Sequence, residues 1–346
     1  MATIEEVAKL AGVSRQTVSR VINNNGYVEA GTRERVRQAI KELNYRPNML
    51  AKALVTRHSH TVAHVMTNIS DPFHNLVNQG FEKVAFNRGY TSMMCDAHSY
   101  RRTCDYINMF KDHRIGGVVF HHLAITREQA EDLKENGVKC VLMDNETQLP
   151  GFSSVVTDNY NGGYMAVEHL VEKGHRKIAC VHGMLELPPD IDIGKIPYED
   201  TFQFDIWIQR TKGFQDAVRD FGLAPARLYQ SHGRHEFAVK YAEEIVKDLA
   251  ENPGRITALY CENDIMAIAI LAKCQEKGMK VPDDIALIGH DGLDLCSILH
   301  PYITTVSQPR FEMGTRSAEI LIDEIEGRAG VTAEVMKPQV IQGETT

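Results

Sequence analysis

Residues 3–22 read TIEEVAKLAGVSRQTVSRVI, a stretch that contains two helix signals separated by a single turn. Thr3 and Glu6 have the spacing of a capping box, in which each side chain accepts a hydrogen bond from a backbone N–H group at the start of a helix. Apolar side chains then recur at helical spacing, and Gly12 ends this first helix. Because Ser14 can cap a second helix, we predict a helix-turn-helix.

The second predicted helix is amphipathic, with Val18 and Val21 on its inward face. Its outward face carries polar side chains: Arg15, Gln16, Ser19 and Arg20. A third helix is predicted from Thr32 to Leu43, with Thr32 as its cap. We therefore predict that residues 1–45 form a small three-helix domain.

Charge is distributed unevenly along the chain. The 346 residues carry a net charge of −8, yet residues 1–60 contain ten basic and five acidic side chains. The remaining residues contain 28 basic and 41 acidic side chains. A basic front on an acidic body indicates a small domain that binds a polyanion such as DNA.

A proline separates this front from the rest of the chain. Pro47 stops the third helix, and Asn48 can cap a fourth helix of about two turns. So short a helix is only marginally stable in water. We expect residues 46–60 to form a hinge helix and linker that become ordered only against a partner.

From residue 61 onward, short apolar strands such as TVAHVM and KCVLM alternate with amphipathic helices. Repeated strand and helix units form parallel sheets with helices on their faces, so we predict an α/β fold. The alternation starts again near residue 160, which predicts two similar lobes within residues 61–346. The expected segments are 61–160 plus 292–308 for the N-lobe, and 161–291 plus 309–346 for the C-lobe.

Three further features limit the possible classes of protein. No apolar run approaches the ~18 residues of a membrane span, and no secretory signal precedes the first helix, so we expect a cytoplasmic, nucleoid-associated protein. The seven cysteines form no C-x-x-C pair and are expected to be buried thiols. Residues 185–204 are longer than a usual loop, and we interpret them as an insertion beside a cleft.

Several motifs occur in a fixed order: TIEEVAKLAGVSRQTVSRVIN, YRPN, SDPF, VEHLVEKGHRKI, RTKGF, CENDIMA, VPDDIALIGHD and TTVSQP. With them the chain resembles the lactose/purine repressor family of bacterial transcription regulators over nearly its whole length. The resemblance implies a helix-turn-helix head, a hinge helix and a two-lobed body like a periplasmic sugar-binding protein. It also implies a homodimer that represses transcription at near-palindromic operators under the control of a small-molecule effector.

The second helix would then read DNA from the major groove, where Arg binds guanine and Gln binds adenine. The resemblance places Arg15 and Gln16 at the variable operator-reading positions, and Arg20 at a third base contact. Leu54 matches the hinge leucine that enters the minor groove. Five residues are expected to bind phosphates: Ser14, Thr17, Ser19, Asn23 and Thr32. The alternative is that residues 14–22 form only a solvated amphipathic helix.

Ligands of open α/β sheets bind beyond the carboxyl ends of the strands. The loops that follow the predicted strands of residues 61–346 should therefore line one cleft. The candidate effector-binding residues there are Asp71, Phe73, His74, Asp144, Trp207, Arg210, Asn263 and Asp291. The resemblance matches Arg210, Asn263 and Asp291 to effector-contacting positions. It matches Phe73 and His74 to positions that contact a ligand ring. Charged groups beside an aromatic face suit a sugar, and we expect a carbohydrate effector.

Several alternatives stay open. Arg210 and Asp291 can instead form an ion pair that holds the lobes together, and Phe73 can be part of the core. Trp207 can anchor the insertion, and Asp144 can belong to a turn. The effector can be a purine or another metabolite, and it can act as an inducer or as a co-repressor.

Two other classes of protein fit the sequence less well than a regulator does. An enzyme is not expected, because the chain lacks the G-x-S-x-G, H-E-x-x-H and phosphate-loop motifs. His121 and His122 end a strand without a third ligand at metal spacing, so we expect neither a metal nor a cofactor. A transport-type sugar-binding protein would explain residues 61–346 but not the basic front.

Overall fold

A computed structural model of the chain describes residues 2–22, 25–45, 59–122, 125–145, 149–183, 205–224, 226–231 and 235–346. The predictions for Asn23, Leu54, the hinge helix and the 185–204 insertion concern residues outside these ranges. The chain separates into two compact units, Met1–His60 and Thr61–Thr346. Within the described ranges, no helix combines the length and apolar character of a membrane span.

The first unit contains the predicted helix-turn-helix. Its helices are α1 (Ile4–Ala11), α2 (Arg15–Ile22) and α3 (Ala30–Glu42). The capping box is confirmed, because the Glu6 N–H donates to Thr3 Oγ1 at 3.3 Å and the Thr3 N–H donates to Glu6 Oε2 at 2.8 Å. Gly12 ends α1 in the left-handed region, with φ of 66°. The buried core of the unit consists of Val7, Ala8, Ala11, Val18, Val21, Val36 and Ala39.

The start of α3 differs from the prediction. The helix begins at Ala30 and is preceded by Glu29, which makes no side-chain capping bond. Thr32 therefore lies inside the first turn, where its hydroxyl accepts a bond from Arg35 Nη2 at 3.2 Å. The prediction of Thr32 as the cap is wrong, because a helix can begin wherever the backbone permits, with its first N–H groups left to solvent.

The N-lobe of the second unit is a parallel sheet in the order β11-β5-β4-β3-β1-β2. Its strands are β1 (Thr61–Met66), β2 (Thr91–Asp96), β3 (Gly117–His121), β4 (Lys139–Met143), β5 (Ser153–Thr157) and β11 (Ala333–Met336). Its helices are α4 (Phe73–Asn87), α5 (Tyr100–Asp112), α6 (Arg127–Glu135) and α11 (Arg310–Ile325). Val62 and Ala63 of β1 belong to two different core clusters, so both faces of the sheet are covered.

The C-lobe sheet has the order β12-β10-β9-β8-β6-β7, and only β12 is antiparallel to its neighbour. Its strands are β6 (Ile178–His182), β7 (Leu228–Gln230), β8 (Ala258–Cys261), β9 (Ala286–Asp291), β10 (Thr304–Ser307) and β12 (Gln339–Ile341). Its helices are α7 (Asn159–Glu172), α8 (Asp205–Asp220), α9 (His235–Glu251) and α10 (Asp264–Glu276). The parallel α/β prediction is confirmed.

The chain passes between the lobes differently from the expectation. Residues 292–308 belong to the C-lobe, because β10 pairs with β9 and Val306 lies in the C-lobe core. Residues 310–336 belong to the N-lobe, since β11 pairs with β5 and the Leu321 side chain lies over Gly117 of β3. The expected segments 292–308 and 309–346 were therefore assigned to the wrong lobes, apart from β12 at the end. Strand pairing decides this assignment, and the order of elements along the chain does not reveal it.

Two helices of the N-lobe touch backbone to backbone at glycines. A Cβ on Gly80 of α4 would lie 2.1 Å from the carbonyl oxygen of Phe311, and one on Gly314 of α11 would lie 1.9 Å from that of Val77. No side chain fits at either position. This contact holds the middle of α4 against α11, and two of the candidate site residues lie at the start of α4.

The C-lobe repeats the arrangement with α7 and α8. A Cβ on Gly163 would lie 2.0 Å from the carbonyl oxygen of Arg210, and one on Gly213 would lie 1.9 Å from that of Tyr160. The close approach places Arg210 against the start of α7.

We predict that Gly163→Ala lowers the free energy of unfolding of the body by about 1–3 kcal/mol, because the new methyl group forces α7 and α8 apart. Chemical denaturation measures the loss. The control is Gly330→Ala, where an added Cβ meets nothing within 4 Å. Equal stability of the two variants would contradict the tight contact.

A buried carboxyl group ties together the carboxyl ends of the C-lobe strands. Asp264 Oδ2 accepts the Leu293 N–H at 2.6 Å, and its Oδ1 accepts the Thr305 hydroxyl at 2.6 Å. Burial, together with the nearby carboxylate of Asp291, raises the pKa of Asp264 to about 7. Asp264 therefore joins the start of α10 to the loop after β9 and to β10.

We predict that the contribution of Asp264 to the free energy of unfolding falls as the pH rises from about 4 to 7, because the folded state keeps a proton on this buried carboxyl group that the unfolded state has released. The stabilisation is complete below the unfolded pKa and is lost as the pH passes the folded pKa. Urea denaturation across this range should give a flatter pH dependence for Asp264→Asn. The exposed control Asp283→Asn should keep the wild-type slope. A slope unchanged in Asp264→Asn would refute the assignment.

Candidate functional site

The second helix of the head presents the predicted polar face. Arg15, Gln16 and Arg20 are exposed, whereas Val18 and Val21 are buried. The Ser14 hydroxyl accepts the Thr17 N–H at 3.2 Å and so caps α2. Of the other predicted phosphate-binding residues, Thr17, Ser19 and Thr32 are half-buried.

Arg15 forms an ion pair in the structure. Its Nη1 lies 2.9 Å from Glu5 Oε1 of α1, and the two side chains are 68% and 56% exposed. A pair so exposed contributes only about 0–1 kcal/mol, so Arg15 can leave Glu5 at little cost.

Arg210 of α8 is almost fully buried, with a side chain that is only 1% exposed. Its Nη1 lies 3.2 Å from Asp291 Oδ1 and also donates to the Glu262 carbonyl oxygen at 2.5 Å. Its Nε donates to Asn159 Oδ1 at 2.9 Å, and the guanidinium carbon lies 5.2 Å from the Trp207 ring centroid. Nη2 makes no hydrogen bond to the described residues.

Asp291 ends β9 and faces both Arg210 and the other lobe. Its side chain is 12% exposed, and its Oδ1 accepts a bond from Gln308 Nε2 at 2.8 Å. Burial raises the pKa of Asp291 to about 7; Arg210 opposes this shift, and Asp71 of the N-lobe adds to it. The carboxyl groups of Asp71 and Asp291 therefore interact across the space between the lobes.

The ion pair between Arg210 and Asp291 was one alternative to a ligand site, and the structure does contain this pair. Both residues belong to the C-lobe, however, so the pair joins α8 to β9 and does not hold the two lobes together.

Asn263 and its neighbour Glu262 follow β8. Asn263 Oδ1 accepts the Met266 N–H at 2.7 Å and caps α10, which leaves its Nδ2 without a hydrogen bond to the described part of the chain. The Glu262 carboxylate accepts bonds from the Thr211 hydroxyl at 2.5 Å and from the Gly183 N–H at 3.1 Å. Burial raises the pKa of Glu262 to about 7. Sequence reasoning missed Glu262, and its position beside Asn263 was the only available signal.

The candidate site residues of the N-lobe include three that follow β1: Asp71, Phe73 and His74. Asp71 Oδ1 accepts the Phe73 N–H at 2.9 Å, and Phe73 and His74 start α4. Both side chains are buried, and Phe73 belongs to the apolar core of the lobe. The Phe73 ring lies 5.9 Å from the ring of His122, which links this group to the end of β3.

Asp144 lies at the end of β4, beside the two histidines that end β3. Its Oδ2 is 3.0 Å from His122 Nε2, and its Oδ1 accepts the Thr157 N–H at 3.1 Å. His121, His122 and Asp144 have donor atoms within 4.8 Å of one another. The expectation that the two histidines lack a third possible ligand is therefore wrong, because β4 lies next to β3 in the sheet.

Comparisons with known proteins agree with this architecture. Residues 3–48 match the family model described as bacterial regulatory proteins, lacI family. Residues 59–186 match the periplasmic binding proteins and sugar binding domain of the LacI family, and residues 167–346 match a periplasmic binding protein-like domain.

Similar relatives cover almost the whole chain. The HTH-type transcriptional repressor PurR of Vibrio atlanticus is 32% identical over 332 residues, which is 95% of this chain and 93% of the relative. The protein of that name from Aliivibrio fischeri is 33% identical over 331 residues, with the same two shares.

Solved structures show the same fold. The transcriptional regulator CelR in complex with cellobiose has a TM-score of 0.70 and 27% identity, with 100% of each chain covered. A LacI-type regulator from Alkaliphilus metalliredigens in complex with D-xylulofuranose has a TM-score of 0.70 and 26% identity, covering 83% of this chain and 99% of that one. The lac repressor dimer bound to operator has a TM-score of 0.81 at 23% identity, covering 100% and 99%. The chain belongs to the LacI family of bacterial regulatory proteins and is a DNA-binding transcriptional regulator.

Proposed function

We propose that this protein is a repressor that binds a near-palindromic operator as a homodimer, and that a small molecule held between the two lobes changes its operator affinity. The observation that carries the proposal is the exposed face of α2, with Arg15, Gln16 and Arg20 on a capped helix-turn-helix. A helix-turn-helix dimer places its two recognition helices in successive major grooves, which requires an operator with two-fold symmetry. Such a protein acts in the cytoplasm, where the DNA is.

The proposed DNA contacts divide into two groups. Arg15, Gln16 and Arg20 read bases, because arginine and glutamine make paired hydrogen bonds to guanine and adenine in the major groove. The hinge residue Leu54 completes the base contacts in the minor groove. The phosphate-binding group is Ser14, Thr17, Ser19, Asn23 and Thr32.

We predict that Gln16→Ala changes the base preference at one position of each half-site and costs about 1–3 kcal/mol there. The operator is first selected from a pool of random palindromes, and fluorescence anisotropy then measures binding to its single-base variants. Gln38→Ala, at an exposed glutamine of α3, is the control and should leave the preference unchanged. Equal weakening on all sequences by Gln16→Ala would argue against base reading.

The proposed ligand site lies between the candidate site residues of the C-lobe and those of the N-lobe. Arg210 Nη2 and Asn263 Nδ2 offer hydrogen-bond donors, and Asp71 and Asp291 offer acceptors. Trp207 provides an aromatic face. Phe73, His74 and Asp144 form the opposite wall. Donors and acceptors beside a ring suit the hydroxyl groups of a carbohydrate.

The comparisons favour a carbohydrate as well, since the regulators in complex with cellobiose and with D-xylulofuranose share the fold at 27% and 26% identity. A flat purine ring would also stack on Trp207, so purines belong in the same ligand screen. Ligands that bind the folded protein raise its melting temperature, and a thermal-shift screen of sugars, sugar acids and purines identifies them. Operator binding with each hit then shows whether the ligand acts as an inducer or as a co-repressor.

We predict that Asp291→Asn weakens binding of the identified effector by about tenfold to a hundredfold, because a hydrogen bond to a charged acceptor contributes about 1.5–3 kcal/mol. Operator affinity without effector should stay at the wild-type value, since Asp291 lies in the C-lobe sheet. Calorimetry measures the first quantity and anisotropy the second. Asp283→Asn serves as the exposed control. Wild-type effector affinity in Asp291→Asn would place the ligand elsewhere.

A further inference from the structure

The histidines at the carboxyl end of the N-lobe sheet form a cluster that the regulator function leaves unexplained. The His121 ring lies 4.4 Å from that of His122, 4.6 Å from that of His74 and 5.3 Å from that of His64. His64, His74 and His121 are buried, whereas 20% of the His122 side chain is exposed. Through the partly exposed His122, solvent reaches this cluster of imidazoles.

A chain of hydrogen bonds fixes which nitrogen of His121 carries a lone pair. Asn78 Oδ1 lies 2.8 Å from His64 Nδ1, and an amide oxygen can only accept, so His64 Nδ1 carries the proton. Burial keeps His64 neutral, so its Nε2 must accept the bond of 3.3 Å from His121 Nδ1. The Nε2 atom of a neutral His121 therefore has a free lone pair.

This lone pair has no partner in the described part of the chain. His121 Nε2 is buried without a hydrogen bond, and so is His74 Nδ1. An unpaired buried polar atom costs about 1–3 kcal/mol, and such atoms in native structures often mark an absent ion or ligand. Two unpaired nitrogens in one cluster indicate that a ligand binds there.

Asp144 places a carboxylate oxygen where a second ligand of the same metal ion would lie. Two ligand atoms of a tetrahedral site with metal bonds of about 2.0–2.1 Å are ~3.3 Å apart, and Asp144 Oδ2 lies 3.0 Å from His122 Nε2. The Thr157 N–H holds the other oxygen at 3.1 Å. Hydrogen bonds of this kind, from the Thr157 N–H to Asp144 and from His121 Nδ1 to His64 Nε2, orient the ligands of metal sites in proteins.

We propose that His121, His122 and Asp144 bind a divalent first-row transition-metal ion, for which Zn²⁺ is the probe. Two imidazoles and one carboxylate are a ligand set that Zn²⁺ accepts, with a fourth position left for water, for His74 or for a ligand in the cleft. The proposal does not rest on the effector assignment, although Asp144 and His74 belong to the same wall. Metal binding is measured without DNA or effector, so failure of the regulator proposal and failure of this one are distinguishable.

To test the proposal, the full chain is first treated with a chelator to remove bound metal. It is then titrated with Zn²⁺ in the presence of a chromophoric chelator that competes with the protein for the ion. The expected result is one tightly bound Zn²⁺ per chain, with affinity reduced by about tenfold or more in His122→Ala, because loss of a ligand exceeds the cost of losing an outer hydrogen bond. Asp144→Asn is the second variant and should lose affinity to a similar degree. Circular dichroism and thermal melting confirm that each variant is folded.

The control is His300→Ala. His300 lies 3.4 Å from the Glu344 carboxylate in an exposed pair, and no other histidine belongs to this pair. This variant should keep wild-type Zn²⁺ affinity. Co²⁺ provides a second readout, because its visible absorption bands should appear in the wild type and change in His122→Ala. Zn²⁺ binding that is absent in the wild type, or equal in the wild type and both site variants, would overturn the proposal.

Discussion

The guanidinium group of Arg210 is charged and almost wholly removed from water, which constrains the surrounding C-lobe. A buried cation is tolerated only when acceptors surround it, and here Nε and Nη1 contact Asn159, the Glu262 carbonyl group and Asp291. These acceptors come from the start of α7 and from the ends of β8 and β9. The Gly163 contact brings α7 close enough for the first of them. The geometry of the candidate ligand site therefore follows from the need to surround the buried Arg210 guanidinium group with hydrogen-bond acceptors.

The same arrangement suggests how a ligand could act on the protein. Asp71 and Asp291 belong to different lobes, and the carboxylate of Asp71 contributes to the raised pKa of Asp291. A ligand that donates hydrogen bonds to both carboxyl groups binds more tightly when the lobes hold these groups close together than when they are apart. Only such a difference in binding free energy can change operator affinity, because a ligand that binds both arrangements equally shifts nothing.

Sequence reasoning succeeded where the deciding interactions are local. The capping box of Thr3 and Glu6 depends on residues three apart, and the apolar strands of the body are recognised by their own composition. It failed where partners come from distant segments. The lobe assignment of residues 292–308 depends on β10 pairing with β9, and Asp144 meets His122 only because β4 lies beside β3.

Proton–nitrogen NMR of the Arg210 side chain tests most directly whether this buried guanidinium is where the ligand acts. Its Nε–H signal, assigned with Arg210→Lys, should be sharp and protected from exchange with water, because the bond to Asn159 holds it away from solvent. Addition of a ligand that changes operator affinity should shift this signal in proportion to occupancy. A signal lost through rapid exchange, or one that such a ligand leaves in place, would contradict the account.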